Sequence, residues 1–452
     1  MASPLYCDLV FAAELYVSYT YLVPEKFQNL SLIGRRLVAP FGPRNQIGYC
    51  VSVHSQAPDA GIKVKSILRI QDEEPLFSEM QLRFYRWIAD YYLAPFGMVL
   101  RAAHPAESGF KREPFLKINA DRHDDGRIKQ LSLPLESISQ KKMGTLSSEE
   151  QKLIRQLLSE KLLVWENRFP PMMKERVIPW VRVIQKPEKK LRGRQAELLD
   201  WLNSRHPAEE AISTIMENLK ISASPIQTLI KNGILERYEK RVILDPFQKD
   251  YQAKSRDVLL SDEQIKAVDA VIQNESRFFP MLLQGITGSG KTEVYIAMAR
   301  HMRNQGKDVL ILVPEIGITP HVAGRFRAEF GKDVAIWHSQ MSAGERLWTW
   351  NAIQRGEIHV VVGARSALFS PFKKIGLIIV DEEHDASYKQ DDPAPRYSAR
   401  DAAVWLANKL AIPIVLGSAT PSLESYYLAS TSRYHRFELI RRHGTVSYTH
   451  LT

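Results

Sequence analysis

The 452-residue sequence holds only two cysteines, Cys7 and Cys50, with no Cys-x-x-Cys pair and no Cys/His cluster. That shortage excludes a disulfide framework and a zinc site built from these residues, because structural zinc takes four such ligands. Scarce cysteine in a long chain fits a reducing cytosol. No apolar run reaches the roughly 18 residues of a membrane-spanning helix. The opening stretch "MASPLYCDLVFAAEL" has no basic leader and carries Asp8, which argues against a secretory signal. Biased tracts and internal repeats are lacking too. The expectation is a cytoplasmic protein with no membrane partner.

What the sequence does have is length and positive charge. A chain this long exceeds one ordinary core, so two to four domains are expected. The 61 Lys and Arg against 51 Asp and Glu give a formal net charge of +10, which suits a polyanionic partner such as nucleic acid. Residues 1–110 alternate short apolar and aromatic runs with turns, as in "YTYLVPE" and "RRLVAPFGPRNQIGYCVSVHS", and read as a small β-rich domain closed by one helix, "EMQLRFYRWIADYYLAP". Residues 111–250 read as helices with charged linkers. "RQAELLDWLNS", "ISTIMENLKI" and "SPIQTLIKNGILERYEKRVIL" fit a winged helix, with Ser224 as N-cap before Pro225; an all-helical spacer is the alternative. From 251 to 441, continuous apolar runs such as "DVLILVPE", "HVVVGA" and "IPIVLGSAT" alternate with helices. Runs of that kind are strands buried on both faces of a parallel sheet, hence a RecA-like α/β lobe. Residues 442–452 form a tail.

Three motifs carry the chemistry. "GITGSGKT" comprises Gly285, Ile286, Thr287, Gly288, Ser289, Gly290, Lys291 and Thr292 and matches G-x4-G-K-[ST] between an apolar strand and an amphipathic helix. Its amides would close around phosphate oxygens, Lys291 would reach the β- and γ-phosphates, and Thr292 would ligate Mg²⁺. "LIIVDEEH" sets Asp381 and Glu382 at the end of a buried strand, where one acid can hold Mg²⁺ and the other orient or deprotonate a water. His384 either couples the nucleotide to a neighbouring motif or caps the loop. "GSATPS" brings Ser418 and Thr420, small hydroxylated residues able to sense the γ-phosphate.

With "VPEIGITP", "HSQMSAGER", "GARSALFSPF", "DEEHDASYKQ" and "PRYSARD", and with "YTYLVPE" and "VAPFG" near its start, the chain resembles the primosomal replication-restart DNA helicases of superfamily 2 along nearly its whole length. The resemblance implies ATP and Mg²⁺ as cofactors and an ATP-dependent 3′-to-5′ helicase that recognises stalled forks and starts primosome assembly. It implies that Gln264 contacts adenine and that Arg365 and Ser366 lie beside single-stranded DNA. Tyr388, Lys389, Arg396, Tyr397 and Arg400 would stack on bases and pair with phosphates in a coupling loop, although Pro395 stands where some relatives have tryptophan. Tyr19, Thr20, Gly42 and Lys65 would form a pocket for the 3′ end of a nascent strand, with Thr20 where the family often has aspartate. Forked and single-stranded DNA, other primosome proteins, single-strand binding protein and the helicase-loading system are the partners implied, at a bacterial nucleoid.

The same resemblance leads one to expect a second RecA-like lobe, whose arginine completes the transition state, and a cysteine-rich zinc segment; neither follows "GSATPS" here. Three classes stay open: part of a fork-restart helicase, a fork-DNA-binding protein without helicase activity, and another superfamily 2 translocase such as a restriction subunit. The motifs "YTYLVPE" and "VAPFG" argue against the third.

Overall fold

The computed structural model describes residues 4–441 except 60–62, 105–112, 119–126, 129–130, 132–137, 141, 169–176, 188–190, 206, 242–258 and 318–319. The expected tail, 442–452, and the expected start of the motor lobe at 251 lie outside the described residues. Two compact units emerge: residues 1–173 together with 247–452, and residues 174–246. The region read as one stretch over 111–250 is thus divided between them.

The first unit begins with a five-stranded antiparallel sheet in the order Tyr19–Val23, Leu5–Phe11, Arg44–His54, Arg36–Phe41, Arg69–Ile70. Strand alternation sends Cys7, Leu9 and Phe11 into one small core with Tyr21 and Leu37, while Val10 and Tyr49 face the other way. Leu5–Phe11 is an inner strand that the sequence reading had not separated from its surroundings.

The helix Glu79–Tyr91 covers that second face. Ser78 and Gln81 close a capping box at its start. Its apolar stripe, Leu82, Phe84, Tyr85 and Ile88, shares one core with Trp350, Phe369 and Tyr397 of the α/β lobe. Gln354 Nε2 also donates to the Pro75 carbonyl at 3.0 Å. The N-terminal sheet and the lobe are therefore joined by packing as well as by chain. A two-stranded ribbon, Glu113–Ile118 with Leu163–Arg168, packs with helix Ser148–Ser159 around a core of its own.

The lobe is a seven-stranded sheet in the order Val334–Trp337, Val360–Gly363, Asp308–Leu312, Ile375–Val380, Pro413–Ser418, Phe279–Gly285, His435–Leu439, with every pair parallel. The six strands before the last are buried nearly throughout because helices cover both faces. All carboxyl ends of a parallel sheet lie along one edge, so the loops after Gly285, Val380 and Ser418 converge there.

The second unit sets helices Arg194–Asn203, Ile212–Leu219 and Ala223–Lys231 with a three-stranded antiparallel sheet, Leu235–Arg241, Val177–Val183, Glu209–Ala211. This is the element content expected of a winged helix and not of an all-helical spacer. The N-cap of its third helix is Ser222, not Ser224; Pro225 is the third helical residue, within the first turn, where a missing N–H leaves no intrahelical bond unmade. No helix among the described residues is long and apolar enough to cross a membrane.

Candidate active site

The phosphate-loop sequence forms a tight turn between strand Phe279–Gly285 and helix Lys291–Asn304. Gly288 and Gly290 both take φ of +82°, the left-handed region in which a side chain is strained. A Cβ on Gly285 would stand 2.5 Å from Ser289 Oγ and 3.1 Å from Leu439 Cβ, so a side chain there would push the serine hydroxyl aside. Ser289 Oγ is buried and has no hydrogen-bond partner among the described residues. Lys291, 9 % exposed, extends over the loop: its ammonium donates to the Gly285 carbonyl at 2.9 Å and lies 3.4 Å from Glu382. Ile286, Thr287 and Gly288 form the open side.

Across the edge, Asp381 is held from the phosphate-loop helix, accepting a hydrogen bond from Tyr295 Oη at 2.8 Å. Burial pushes its carboxyl above the ordinary range, while the bond from Tyr295 opposes that shift. Glu382 has φ of +44°, rare for a non-glycine residue, and this bend aims its carboxylate at Lys291. His384 Nδ1 meets Ser418 Oγ at 2.8 Å, and the Thr420 amide donates to the same hydroxyl at 3.0 Å. The three residues expected to couple the motifs are thus in one hydrogen-bonded chain.

Gln264 is nearly fully buried. Its amide oxygen accepts from the Ser261 backbone at 2.8 Å and its nitrogen donates to the Ser289 carbonyl at 3.0 Å. The side chain expected to contact adenine is, in this conformation, engaged in fixing the phosphate loop.

Other functional residues were missed by the sequence reading. Glu383, the last acid of "DEEH", is wholly buried and accepts from the Ser422 amide at 2.6 Å, Ser422 Oγ at 3.0 Å, Ser425 Oγ at 2.8 Å and Arg400 at 3.2 Å. It binds the acidic loop to "GSATPS". Gly417 makes room for Tyr295: a Cβ there would fall 1.7 Å from the Tyr295 oxygen. Three adjacent acids after a strand, and a glycine opening "GSAT", were the available signals.

The loop after the acids needs a correction. Tyr388 and Tyr397 are 2 % and 1 % exposed, so their rings are not presented to bases. The Tyr388 hydroxyl donates to the Asp381 carbonyl, Tyr397 donates to the Arg365 carbonyl at 3.3 Å, and its ring packs on Phe369. Apolar neighbours on both sides of the loop bury them. Arg365 donates to the carbonyls of Ser387 and Lys389, each at 3.2 Å, so it braces the loop. Arg400 is spent on Glu383 and Asp401. Ser366, Lys389 and Arg396 remain at the surface; Ser366 accepts from Trp337 Nε1 at 3.1 Å.

In the N-terminal sheet, Tyr19 and Thr20 are consecutive on a strand and point to opposite faces. Tyr19 packs edge-on against Phe41, beside the exposed turn at Gly42, whose φ is +56°. Thr20 Oγ1 instead donates to Asp8 at 2.7 Å. Ser52 donates to the other Asp8 oxygen at 2.6 Å, and His54 lies 3.4 Å away. Burial pushes the Asp8 carboxyl up, but these hydrogen bonds, with the nearby His54, outweigh it and hold the carboxyl below its usual range. Lys65 is exposed and accepts from the Leu22 amide through its carbonyl. The four residues proposed for one pocket are therefore not on one wall. The Asp8 carboxylate stands beside Thr20, the position at which relatives often have aspartate.

The donors present fit a magnesium nucleotide. The unpartnered Ser289 hydroxyl, the glycine cradle and the Lys291 ammonium suit phosphate. Among the described residues no group of three His, Cys, Asp or Glu could hold a metal alone. Thr292 and Asp381 offer two oxygens, as suits Mg²⁺, which keeps waters and takes the rest of its shell from phosphate.

The chain is similar to known proteins over both regions. Residues 8–105 match the 3′DNA-binding domain (3′BD) family of PriA. Residues 257–423 match the family described as type III restriction enzyme, res subunit, over the phosphate loop and the acidic strand. The replication restart protein PriA of Bacillus subtilis is 32 % identical over 442 residues, covering 94 % of this chain and 54 % of that protein. That of Synechocystis is 33 % identical over 435 residues, with 90 % and 51 % covered, and that of Haemophilus influenzae 32 % over 444, with 96 % and 52 % covered. The chain spans about half the length of these curated relatives, and it belongs to the PriA replication-restart family.

Proposed function

We propose that the chain carries the ATP-binding lobe and the DNA-end-binding domain of an ATP-dependent 3′-to-5′ DNA helicase that recognises abandoned replication forks and starts primosome assembly. The observation that carries the reading is the approach of Lys291 to Glu382 at 3.4 Å, from loops about ninety residues apart, beside an unpartnered serine hydroxyl. Lys291 and the loop amides would hold the β- and γ-phosphates. Thr292 and Asp381 would hold Mg²⁺, which supplies charge neutralisation at the phosphates. Glu382 would orient a water, and His384 with Ser418 and Thr420 would pass the state of the site to the DNA-facing loops. The sheet around Asp8 and Thr20 would take the 3′ end, and residues 174–246 would grip duplex DNA. The relatives' names support replication restart as the process; single-strand binding protein and the helicase-loading system are the proposed partners.

The test is binding of Mg·ATP and of forked DNA with a free or blocked 3′ end, followed by strand displacement with Glu382→Gln as control. Mg·ATP binding and preference for the free end are expected. Preference for the free end without any nucleotide affinity would favour a fork-binding protein without helicase activity, and absence of both would refute the reading. Strand displacement that depends on Glu382 would assign helicase activity to these 452 residues themselves.

A further inference from the structure

We propose that the cavity between helix Glu79–Tyr91 and the motor lobe is a binding site for an amphipathic anion, an apolar body bearing one carboxylate-like group. The cavity measures about 540 Å³, within the roughly 300–1,000 Å³ of small-molecule sites. Phe84 on the helix faces Leu406 and Leu410 on the lobe across it. At its edge stand Lys373 and Lys374, both exposed, and the residues that line it include no Asp or Glu.

One polar atom of the lining residues, Ser370 Oγ, is buried with no hydrogen-bond partner among the described residues. Gln81 is engaged on both sides: its Oε1 accepts from the Ser78 N–H at 2.9 Å in the helix cap, and its amide hydrogen-bonds Tyr85. A buried hydroxyl without a partner favours a ligand that brings an acceptor.

Apolar walls, an unpartnered hydroxyl and a cationic edge select an apolar tail with an anionic head. A neutral apolar molecule gains nothing from the lysines, and a cation is repelled by them. None of the phosphate-loop or "DEEH" residues lines the cavity, so the site is separate from the nucleotide site. Its two walls belong to the DNA-end domain's helix and to the motor lobe, so an occupant would tighten the joint between them. The proposal stands independently of the helicase reading.

Calorimetric titration of residues 1–452 with decanoate, decanol and decylammonium tests it. Decanoate is expected to bind at least about tenfold more tightly than either analogue and to raise Tm, as any ligand of the folded state does. Lys373→Gln with Lys374→Gln should remove the advantage of the anion. Leu406→Trp, which fills the cavity, should abolish binding of all three. If that variant fails to fold by circular dichroism, Leu410→Trp fills the same space. Equal binding of the three probes, decanoate binding that survives the filled cavity, or no decanoate binding would each overturn the proposal.

Discussion

The motor lobe and the N-terminal sheet present their polar groups in opposite ways. In the lobe, three strands with parallel direction end at one edge, so "GITGSGKT", "DEEH" and "GSATPS" meet although far apart in sequence. In the antiparallel sheet, the polar groups lie within the strands, where neighbours diverge: Thr20 turns to Asp8 and Tyr19 to Phe41. A contiguous motif is therefore a reliable sign of a site at the end of a parallel strand and a poor one inside an antiparallel strand. The lobe site is also tied together by buried charge, whereas the Asp8 cluster is half open to solvent.

The sharpest way to break this contrast is Glu383→Ala. The change leaves Arg400 and two serine hydroxyls without their shared acceptor in a buried place. Removing one partner of a buried ion pair costs about 3–5 kcal/mol. Denaturant unfolding should show that loss. A cost under about 1 kcal/mol would mean that the network is not what joins the two motif loops.

Lys291→Ala comes next. Charge-assisted hydrogen bonds are worth about 1.5–3 kcal/mol each, so Mg·ATP affinity should fall by about a hundredfold. Affinity for forked DNA should stay within about twofold, because the DNA-end domain keeps its own sheet and core. The two affinities are measured side by side. Equal loss of both would erase the distinction between the regions.

The motif chemistry of the lobe was legible because phosphate loops and acidic strand ends demand fixed residue types at fixed spacing. The strand His435–Leu439 was not, since only Leu439 of its five residues is buried and no apolar run marks it. Val334–Trp337 was missed for another reason: four residues are too short to separate from the helix before them. The burial of Tyr388 and Tyr397 depends on Phe369 and on helix Glu79–Tyr91, which are distant in sequence. Likewise Asp8 gains meaning only when strand pairing sets it beside Thr20 and Ser52.

Gly417→Ala tests the packing side of the lobe. A methyl group 1.7 Å from Tyr295 Oη forces one of them to move, at a cost of about 1–3 kcal/mol. Tyr295→Phe in the same chain should recover much of that loss, giving a coupling energy in a double-mutant cycle. Alone, Tyr295→Phe removes a hydrogen bond that favours the Asp381 anion, so the carboxyl, already raised by burial, rises further. Mg·ATP binding needs the anion. Its loss on acidification should therefore set in at higher pH in Tyr295→Phe than in the parent, as titrations at a series of pH values would reveal; an unchanged profile would separate Tyr295 from Asp381.

The smallest effect is expected at the N-terminal sheet. Thr20 gives its hydroxyl proton to Asp8, and a hydrogen bond to a carboxylate, weakened here by partial exposure, is worth about 1.5 kcal/mol. Without it the carboxylate keeps Ser52 but is free to turn. Thr20→Ala should therefore weaken forks with a free 3′-OH about threefold to tenfold more than forks whose 3′ end is blocked. Asp8→Asn should act in the same direction. Both variants should leave the slope of log K against log salt unchanged, because neither removes a phosphate-binding cation. Tyr19→Ala, on the opposite face, should instead lower Tm by opening the aromatic contact with Phe11 and Phe41, and should weaken free and blocked forks alike. Measuring the three variants on both substrates decides which face of the strand meets DNA. If Tyr19→Ala alone changed the discrimination between free and blocked ends, the reading face would be the aromatic one, and the Asp8 cluster would be no more than a cross-strand brace.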